Sequence, residues 1–226
     1  PPYSRRMPNA VQVGVEPTEG ADVAALPWRP RLDAAADLLA GGFFNDPLYT
    51  YMCPNEKARR DPGGKKAMLW ALGSSYEMVD ILEEEDGTLA AVGLWEPGKP
   101  SCAGILRGTV GIAIPWWRSK GRLLSWAKLL FALEEKRKEL APDALHLMYI
   151  AANPTLKGKG RGSAMLRRGL ARADNLGVRC YLENSNEKNL PFYEKYGFRL
   201  VEEFKVDGSD GPSLYLMVRP AASATS

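Results

Sequence analysis

Cysteine, histidine and long apolar runs are scarce in this chain of 226 residues. Its three cysteines, Cys53, Cys102 and Cys180, are odd in number and widely spaced, which argues against a disulfide framework and favours buried thiols in a reducing, cytoplasmic setting. The single histidine, His146, has no Cys or His partner at ligand spacing, so the sequence predicts no metal site. No run of about 18 apolar residues occurs, so we expect no stable membrane insertion.

The charge balance argues against a further class of partner. Thirty basic residues against 27 acidic ones leave a net charge of +3, which is too small to indicate a nucleic-acid surface. Arg167, Arg168 and Arg172 would spread around a helix instead of forming one basic face. We therefore expect no nucleic-acid partner.

Local patterns predict alternating strands and helices in a mixed order. Period-two alternation predicts a first strand at 11–17, and an alanine- and leucine-rich helix should end at Gly41-Gly42. A loop should follow at 45–64, then a helix from Lys65 to about Tyr76.

Asp86-Gly87 predicts a hairpin turn, and an amphipathic helix is expected inside an insert at 98–143. From residue 145 onward the order is β-α-β-α-β-β. The whole predicts a three-layer α/β (α+β) fold around a mixed sheet. We expect one domain over residues 7–220, starting at Met7, with flexible termini at 1–6 and 221–226.

A cationic, glycine-rich stretch joins a predicted strand to a predicted helix. Residues 157–162, "KGKGRG", alternate cations with glycines. Glycine lets backbone N–H groups approach a bulky ligand, and the first helical turn adds unpaired donors and a positive dipole end. The spacing is neither that of a nucleotide P-loop nor that of a dinucleotide-binding strand–turn–helix. Taken alone, the stretch fits either a solvated basic loop or a phosphate cradle.

A second block, "YLENSNEKNLPFYEKYGF" at 181–198, favours the cradle. Together the two blocks resemble the GNAT superfamily of acyl-CoA-dependent N-acetyltransferases. The pyrophosphate loop of that family has the pattern Gln/Arg-x-x-Gly-x-Gly/Ala, and residues 157–162 take its place with Lys at the first position. The C-terminal half, 147–219, is similar to the branch that contains puromycin N-acetyltransferase and its bacterial and fungal relatives. The similarity fades across 98–143.

This resemblance implies a binding site for acetyl-CoA as co-substrate, without a metal. In the family a bulge splays the strand before the loop from the next strand, within a mostly antiparallel sheet, and the pantetheine arm threads the gap. Those strands map to 148–152 and 181–184. Asn189 would contact the pantetheine arm, and Tyr193 would protonate the departing thiolate. The residues expected to bind acetyl-CoA are Ile150, Ala151, Ala152, Lys157, Gly158, Lys159, Gly160, Arg161, Gly162, Ser163, Asn189 and Tyr193.

The catalytic base is the point on which the sequence leaves alternatives. Glu183, opposite the pantetheine gap, is the leading carboxylate, because a charge at a strand centre is costly unless it is paired or functional. A structural hydrogen-bond acceptor is the other interpretation of Glu183, and Glu77 or a chain of waters could replace it as base. We interpret His146, at the start of an apolar strand, as structural. Tyr196 is the alternative to Tyr193 as acid.

Aromatic residues are the candidates for the walls of the pocket that binds the acceptor amine. Phe44, Tyr49, Trp116 and Trp117 are candidate walls of an apolar pocket for a small hydrophobic or aromatic amine. In the other interpretation, the tryptophans fill the seam between an amphipathic helix and the domain.

The expected activity is direct acetyl transfer from acetyl-CoA to a primary amine of a small molecule in a ternary complex, by a monomer or homodimer. Two alternatives stay open. A protein or peptide N-acetyltransferase would need an open groove, and a non-catalytic acyl-CoA-binding regulatory module would not need Tyr193.

Overall fold

The computed structural model describes residues 29–60, 79–97 and 122–222, together with positions 65, 68, 69 and 72. The predicted strand at 11–17 and most of the predicted helix from Lys65 lie outside the described residues. The same holds for Trp116, Trp117 and Glu77.

Helices and strands occur in the predicted mixed order. The helices are α1 (Arg29–Gly42), α2 (Pro47–Met52), α3 (Glu56–Arg60), α4 (Leu123–Leu140), α5 (Arg161–Leu176) and α6 (Leu190–Glu194). The strands are β1 (Val79–Glu83), β2 (Leu89–Glu96), β3 (Leu145–Ala152), β4 (Cys180–Asn184), β5 (Arg199–Lys205) and β6 (Ser213–Arg219). Among the residues described, no helix combines the length and apolarity needed to cross a membrane.

The strands form one six-stranded sheet in the order β1-β2-β3-β4-β6-β5. Every neighbouring pair is antiparallel except β3 and β4, which are parallel. The expected mixed, mostly antiparallel sheet is therefore confirmed. The predicted turn at Asp86-Gly87 is also present, with Gly87 at φ 81° and Asp86 accepting the Thr88 amide at 2.9 Å.

Helices cover both faces of the sheet. On one face α1 packs on Val92 and Leu94 of β2, and α4 packs through Trp126 on Tyr181 of β4. On the other face α5 and α6 pack around Trp95 and its neighbours. Burial of these apolar side chains is the main contribution to holding the three layers together.

The predicted loop at 45–64 is wrong, because α2 and α3 lie within it. Asp46 caps α2: its side chain accepts the amides of Leu48 at 2.9 Å and Tyr49 at 3.2 Å, and Pro47 occupies the first helical position, where no amide donor is needed. This cap stabilises a helix too short to form on its own, and it fixes Asp46 beside the sheet.

Candidate active site

The central feature of the site is a bulge in β3. Tyr149 pairs with Leu94 of β2, but Leu147, not Met148, pairs with Trp95, so Met148 is an extra residue in the ladder. The parallel ladder to β4 ends at the same level, since Leu147 is the last residue of β3 with a partner in β4. The two central strands therefore separate beyond Leu147. The splayed pair expected from the sequence is confirmed.

Two backbone amides of β3 face the gap that this separation leaves. The Asn153 amide donates to the Ala90 carbonyl of β2 at 2.9 Å. Amide direction alternates along a strand, so the Ala151 amide also faces β2, while those of Ile150 and Ala152 face the side from which β4 has withdrawn. Unpaired donors at such a gap are suited to hydrogen-bonding a thioester carbonyl and the negative charge that develops on it.

A cleft of about 400 Å³ occupies the gap and reaches both faces of the sheet. Tyr193 contributes from the α5–α6 face, and Phe43 contributes from the α1 face. Its lining comprises Gly42, Phe43, Asn45, Asp46, residues 147–152, residues 182–186, Asn189 and Tyr193.

The glycine-rich stretch forms an open cradle at the N-terminus of α5. Gly158 and Gly160 have φ of 83° and 71°, a left-handed conformation that a side chain disfavours, and no side chain caps the helix. The dipole of α5, 16 residues long, adds positive potential at this end. In the described part of the chain, the backbone amides of Gly158 and of the four consecutive residues Gly160, Arg161, Gly162 and Ser163 have no backbone acceptor. The donors needed for a pyrophosphate are therefore present.

The three cations of the stretch have different surroundings. Lys157 and Lys159 are exposed. Arg161 is half-buried and pairs with Glu84, next to the β1–β2 turn, at 2.5 and 2.6 Å. An anion in the cradle would share the Arg161 guanidinium with Glu84, which leaves the two lysines and the backbone as the main cationic and donor groups.

Tyr193 and Asn189 are the residues that the resemblance assigns to the thiolate proton and to the pantetheine arm. Both line the cleft, and Asn189 contacts the Asn184 side chain at 3.5 Å. Tyr193 is buried, and among the described residues its hydroxyl has no hydrogen-bond partner. Burial, with a smaller effect of the Asp46 charge, raises the pKa of Tyr193 to about 12. Tyr196, the alternative acid, does not line the cleft. Its hydroxyl accepts a hydrogen bond from Arg167 at 3.3 Å on the exposed side of α5.

The Glu183 carboxylate meets His146 on the α1–α4 face of the sheet. Glu183 Oε2 lies 2.6 Å from His146 Nε2, and both side chains are largely buried. Burial alone lowers the pKa of His146, but the charge of Glu183 and the hydrogen bond to it outweigh burial, and the net pKa is raised. Glu183 also lines the cleft, so the pair connects a buried imidazole to the gap between β3 and β4.

A second carboxylate, Asp46, also lines the cleft, next to Ser185, which follows Glu183 by two residues. It accepts a short hydrogen bond from the Ser185 hydroxyl in addition to the α2 amides. Burial raises the pKa of Asp46, although the Ser185 and backbone hydrogen bonds lower it in part. The cleft is thus lined by two partly buried carboxylates that are held by different partners.

Aromatic rings surround these carboxylates. The Tyr49 hydroxyl donates to that of Tyr149 at 3.2 Å, and Phe43 packs on both rings with centroids 5.4 Å away. Phe44 and Tyr49, both predicted as pocket walls, are not part of the cleft lining. Tyr49 reaches it only through its contacts with Phe43 and Tyr149, and the Phe44 ring lies 4.8 Å from the Arg60 guanidinium. The neighbouring Phe43 occupies the cleft instead.

Comparison with known proteins identifies the family. The model of the acetyltransferase (GNAT) family matches residues 76–198, more than half of the chain. The chain belongs to the GNAT family. It is therefore an acyltransferase, and enzymes of the family use acetyl-CoA as co-substrate.

Individual GNAT relatives resemble the chain over most of its length. An uncharacterized N-acetyltransferase of Schizosaccharomyces pombe is 27% identical over 177 residues, covering 73% of this chain and 69% of its own. The structure of the histone acetyltransferase HPA2 and related acetyltransferase from Corynebacterium glutamicum superposes with a TM-score of 0.59 at 20% identity, covering 91% of this chain and 96% of the other. Arylalkylamine N-acetyltransferase 2 from Aedes aegypti gives 0.60 at 15% identity, covering 86% and 95%. The two structures establish the GNAT fold.

The residues of this GNAT enzyme fit acetyl-CoA. The open amides at the start of α5 suit its pyrophosphate, and the gap between β3 and β4 suits an extended pantetheine arm. In the described part of the chain, no cluster of three or more His, Cys, Asp or Glu is arranged to hold a metal ion.

Three polar residues of the cleft carry no signal in the sequence that points to this site. Asp46 and Ser185 are 139 positions apart, and no local pattern links them. The "DP" dipeptide at 46–47 is a cap signal that could have predicted α2, but not its position against the sheet. Tyr149 lies on a strand that was correctly predicted, and only the bulge turns its side chain toward Tyr49.

Proposed function

We propose that this protein transfers the acetyl group of acetyl-CoA to the primary amine of a small molecule, by direct attack in a ternary complex. The observation that carries the proposal is a cleft that passes through the sheet. Tyr193 and Asn189 line it on the α5–α6 side, and carboxylates and aromatic rings line it on the other side. The donor would enter from the first side and the acceptor from the second.

The charges of the cleft favour a cationic acceptor. Its lining contains Asp46 and Glu183 and, as far as the described residues extend, no lysine or arginine. An amine that arrives as ammonium is attracted to such a wall, and the ring faces of Phe43 and Tyr149, which also line the cleft, attract cations as well. A carboxylate or phosphate next to the reacting amine would be repelled.

Glu183 acts as the base and Tyr193 as the acid in the proposed reaction. Glu183 takes a proton from the ammonium, the free amine attacks the thioester carbon, and the amides of Ile150 and Ala152 stabilise the oxyanion. The new C–N bond replaces the C–S bond, Tyr193 donates its proton to the departing sulfur, and the second proton that the nitrogen then loses restores the Tyr193 phenol. Burial that raises the pKa of the phenol also raises that of a thiol beside it, because both conjugate bases are anions. Of the two protons lost by the ammonium, one is finally on the thiol and one in solvent.

The test is release of free thiol from acetyl-CoA across matched pairs of acceptors. Phenethylamine and tyramine are compared with phenylalanine and tyrosine, which differ from them only by an α-carboxylate, and puromycin and an N-terminal peptide complete the panel. We expect turnover with the amines and at least about tenfold lower kcat/KM with the amino acids, a difference of about 1.4 kcal/mol in the barrier.

Other outcomes assign other functions. Equal rates for amines and amino acids would contradict the charge argument. Preference for the peptide would favour a protein N-acetyltransferase. Binding of CoA without turnover of any acceptor would favour a regulatory module.

A further inference from the structure

His146 and Glu183 form a buried pair at the point where the central strands separate. His146 precedes the bulge on β3, one residue before the last rung of the parallel ladder, and Glu183 follows that rung on β4. Their 2.6 Å contact joins Nε2 to Oε2. The pair is thus anchored in the closed part of the sheet, while Glu183 itself lines the open part.

The chemistry of this contact fixes the direction of the hydrogen bond. An ionised carboxylate only accepts, so His146 Nε2 carries the hydrogen in both the neutral and the charged imidazole. A glutamate side chain has three rotatable bonds, and a charge-assisted bond to a rigid ring on a neighbouring strand removes most of this freedom. Oε2 of Glu183 is thereby occupied by His146, the Tyr181 phenol interacts with the same carboxylate, and the Glu183 side chain lines the cleft.

We propose that His146 is a positioning residue for acetyl transfer: it holds one oxygen of Glu183 so that the other receives the proton of the acceptor ammonium. The inference rests on the proposed function, because without an amine acceptor Glu183 has no proton to take. His146 itself keeps its Nε2 proton throughout. The proton accepted by Glu183 leaves to solvent before the next turnover.

Several charged and titratable groups face the pair. Glu96 is the register partner of His146 on β2, Tyr181 lies beside it on β4, and Arg137 approaches from α4. Burial lowers the pKa of the imidazole, the charge and hydrogen bond of Glu183 raise it, Glu96 adds to the rise, and Arg137 opposes it. The net rise keeps His146 positively charged beside Glu183 over a wider pH range than an isolated imidazole would allow.

A first experiment uses the fact that the chain contains one histidine. In tag-free protein labelled with ¹⁵N, the imidazole resonances belong to His146 alone, and their pH titration follows its proton. We expect the midpoint of the intact protein to lie above the ordinary histidine value and to fall in Glu183→Gln. A midpoint that is the same in both proteins would overturn the proposal.

A second experiment separates positioning from folding. We expect His146→Ala to lower kcat by about 10- to 100-fold with an unchanged KM for acetyl-CoA, since a misplaced group costs roughly that much. His146→Gln, whose amide N–H can replace Nε2–H, should recover part of kcat. The His146→Gln variant lacks the positive charge of the imidazole, so the acidic limb of its kcat/KM profile should move to higher pH.

The control is Leu129→Ala, which removes apolar packing in the hydrophobic layer that covers this face. It should lower the melting temperature without moving the acidic limb. The loss of kcat in the His146 variants could simply follow their loss of melting temperature, as in Leu129→Ala, or their pH profiles could match that of the unmodified enzyme. Either result would show that His146 has only a structural role, and the proposal would be overturned. If the unmodified enzyme turns over no amine, the proposed function fails, and this inference fails with it. Active enzyme with unaffected His146 variants overturns this inference alone.

Discussion

Replacing Tyr193 by phenylalanine separates catalysis from binding and stability. The substitution removes one hydroxyl and keeps the ring, which packs edge-on against Phe192 at 5.2 Å and Phe198 at 5.9 Å. In the described structure that hydroxyl makes no hydrogen bond within the protein. Its loss should therefore change the free energy of unfolding by less than about 1 kcal/mol.

The effect on rate should be far larger. A positioned general acid contributes about 10²- to 10⁴-fold, which corresponds to about 3–5 kcal/mol of barrier at 1.36 kcal/mol for each factor of ten. Because Tyr193 has a pKa of about 12, its phenol stays protonated from neutral pH to well into the alkaline range. The loss in Tyr193→Phe should accordingly be nearly constant between about pH 6.5 and pH 9.

The assay is thiol release at saturating acetyl-CoA, with CoA affinity from calorimetry and the melting temperature measured on the same samples. Tyr196→Phe is the matched control, since it removes a hydroxyl from the same chain segment. That hydroxyl accepts a hydrogen bond from Arg167 at 3.3 Å and lies away from the cleft. We expect it to keep full kcat. Retention of kcat in Tyr193→Phe, or its loss in Tyr196→Phe, would refute the assignment of the acid.

Three further changes test the cradle, the packing and the buried pair. Gly160→Ala places a side chain at φ 71°, at a cost of about 1 kcal/mol. It should raise KM for acetyl-CoA several-fold while kcat at saturation is kept, and an unchanged KM would argue against the cradle. Gly169→Ala would put a methyl group 2.0 Å from the Trp95 ring, so urea denaturation should show a loss of about 1–3 kcal/mol, and an unaltered midpoint would contradict this packing. The raised pKa of His146 means that the stabilisation from its proton is complete below the unfolded value of about 6.5 and is lost as pH rises through the folded value. Relative to His146→Gln, the free energy of unfolding of the unmodified protein should therefore decrease from pH 5.5 to pH 9. A constant difference would show that the pKa of His146 is not raised in the folded protein.

Local sequence signals predicted the helix and strand boundaries well where a specific residue ends the element. Helix α1 ends at Gly42, and α5 ends before Gly177, which has φ 66° as a C-terminal glycine stop requires. The hairpin turn at Asp86-Gly87 followed in the same way. These features depend on neighbours in sequence, so a single chain suffices to predict them.

The polar contacts of the cleft could not be predicted in this way. A lone histidine on an apolar strand has no local partner, so the sequence indicates a structural role for His146, yet in the fold it contacts Glu183, 37 positions away. Arg161 was assigned to phosphate, and the structure pairs it also with Glu84, 77 positions earlier. Pattern and spacing do not encode such distances, because they depend on which strands become neighbours.

The sequence by itself indicated the family and singled out the glycine-rich helix start and the candidate acid, because glycines, a helix start and a short helical motif act through backbone geometry that is local. Only the tertiary structure decided what lies on the α1–α4 side of the cleft. The bulge at Met148 and the end of the ladder at Leu147 open the sheet, and that opening brings Asp46, Tyr149 and Glu183 to one cleft. The physical reason is that a gap between strands is a property of their pairing, and pairing is settled by the packing of both faces of the sheet.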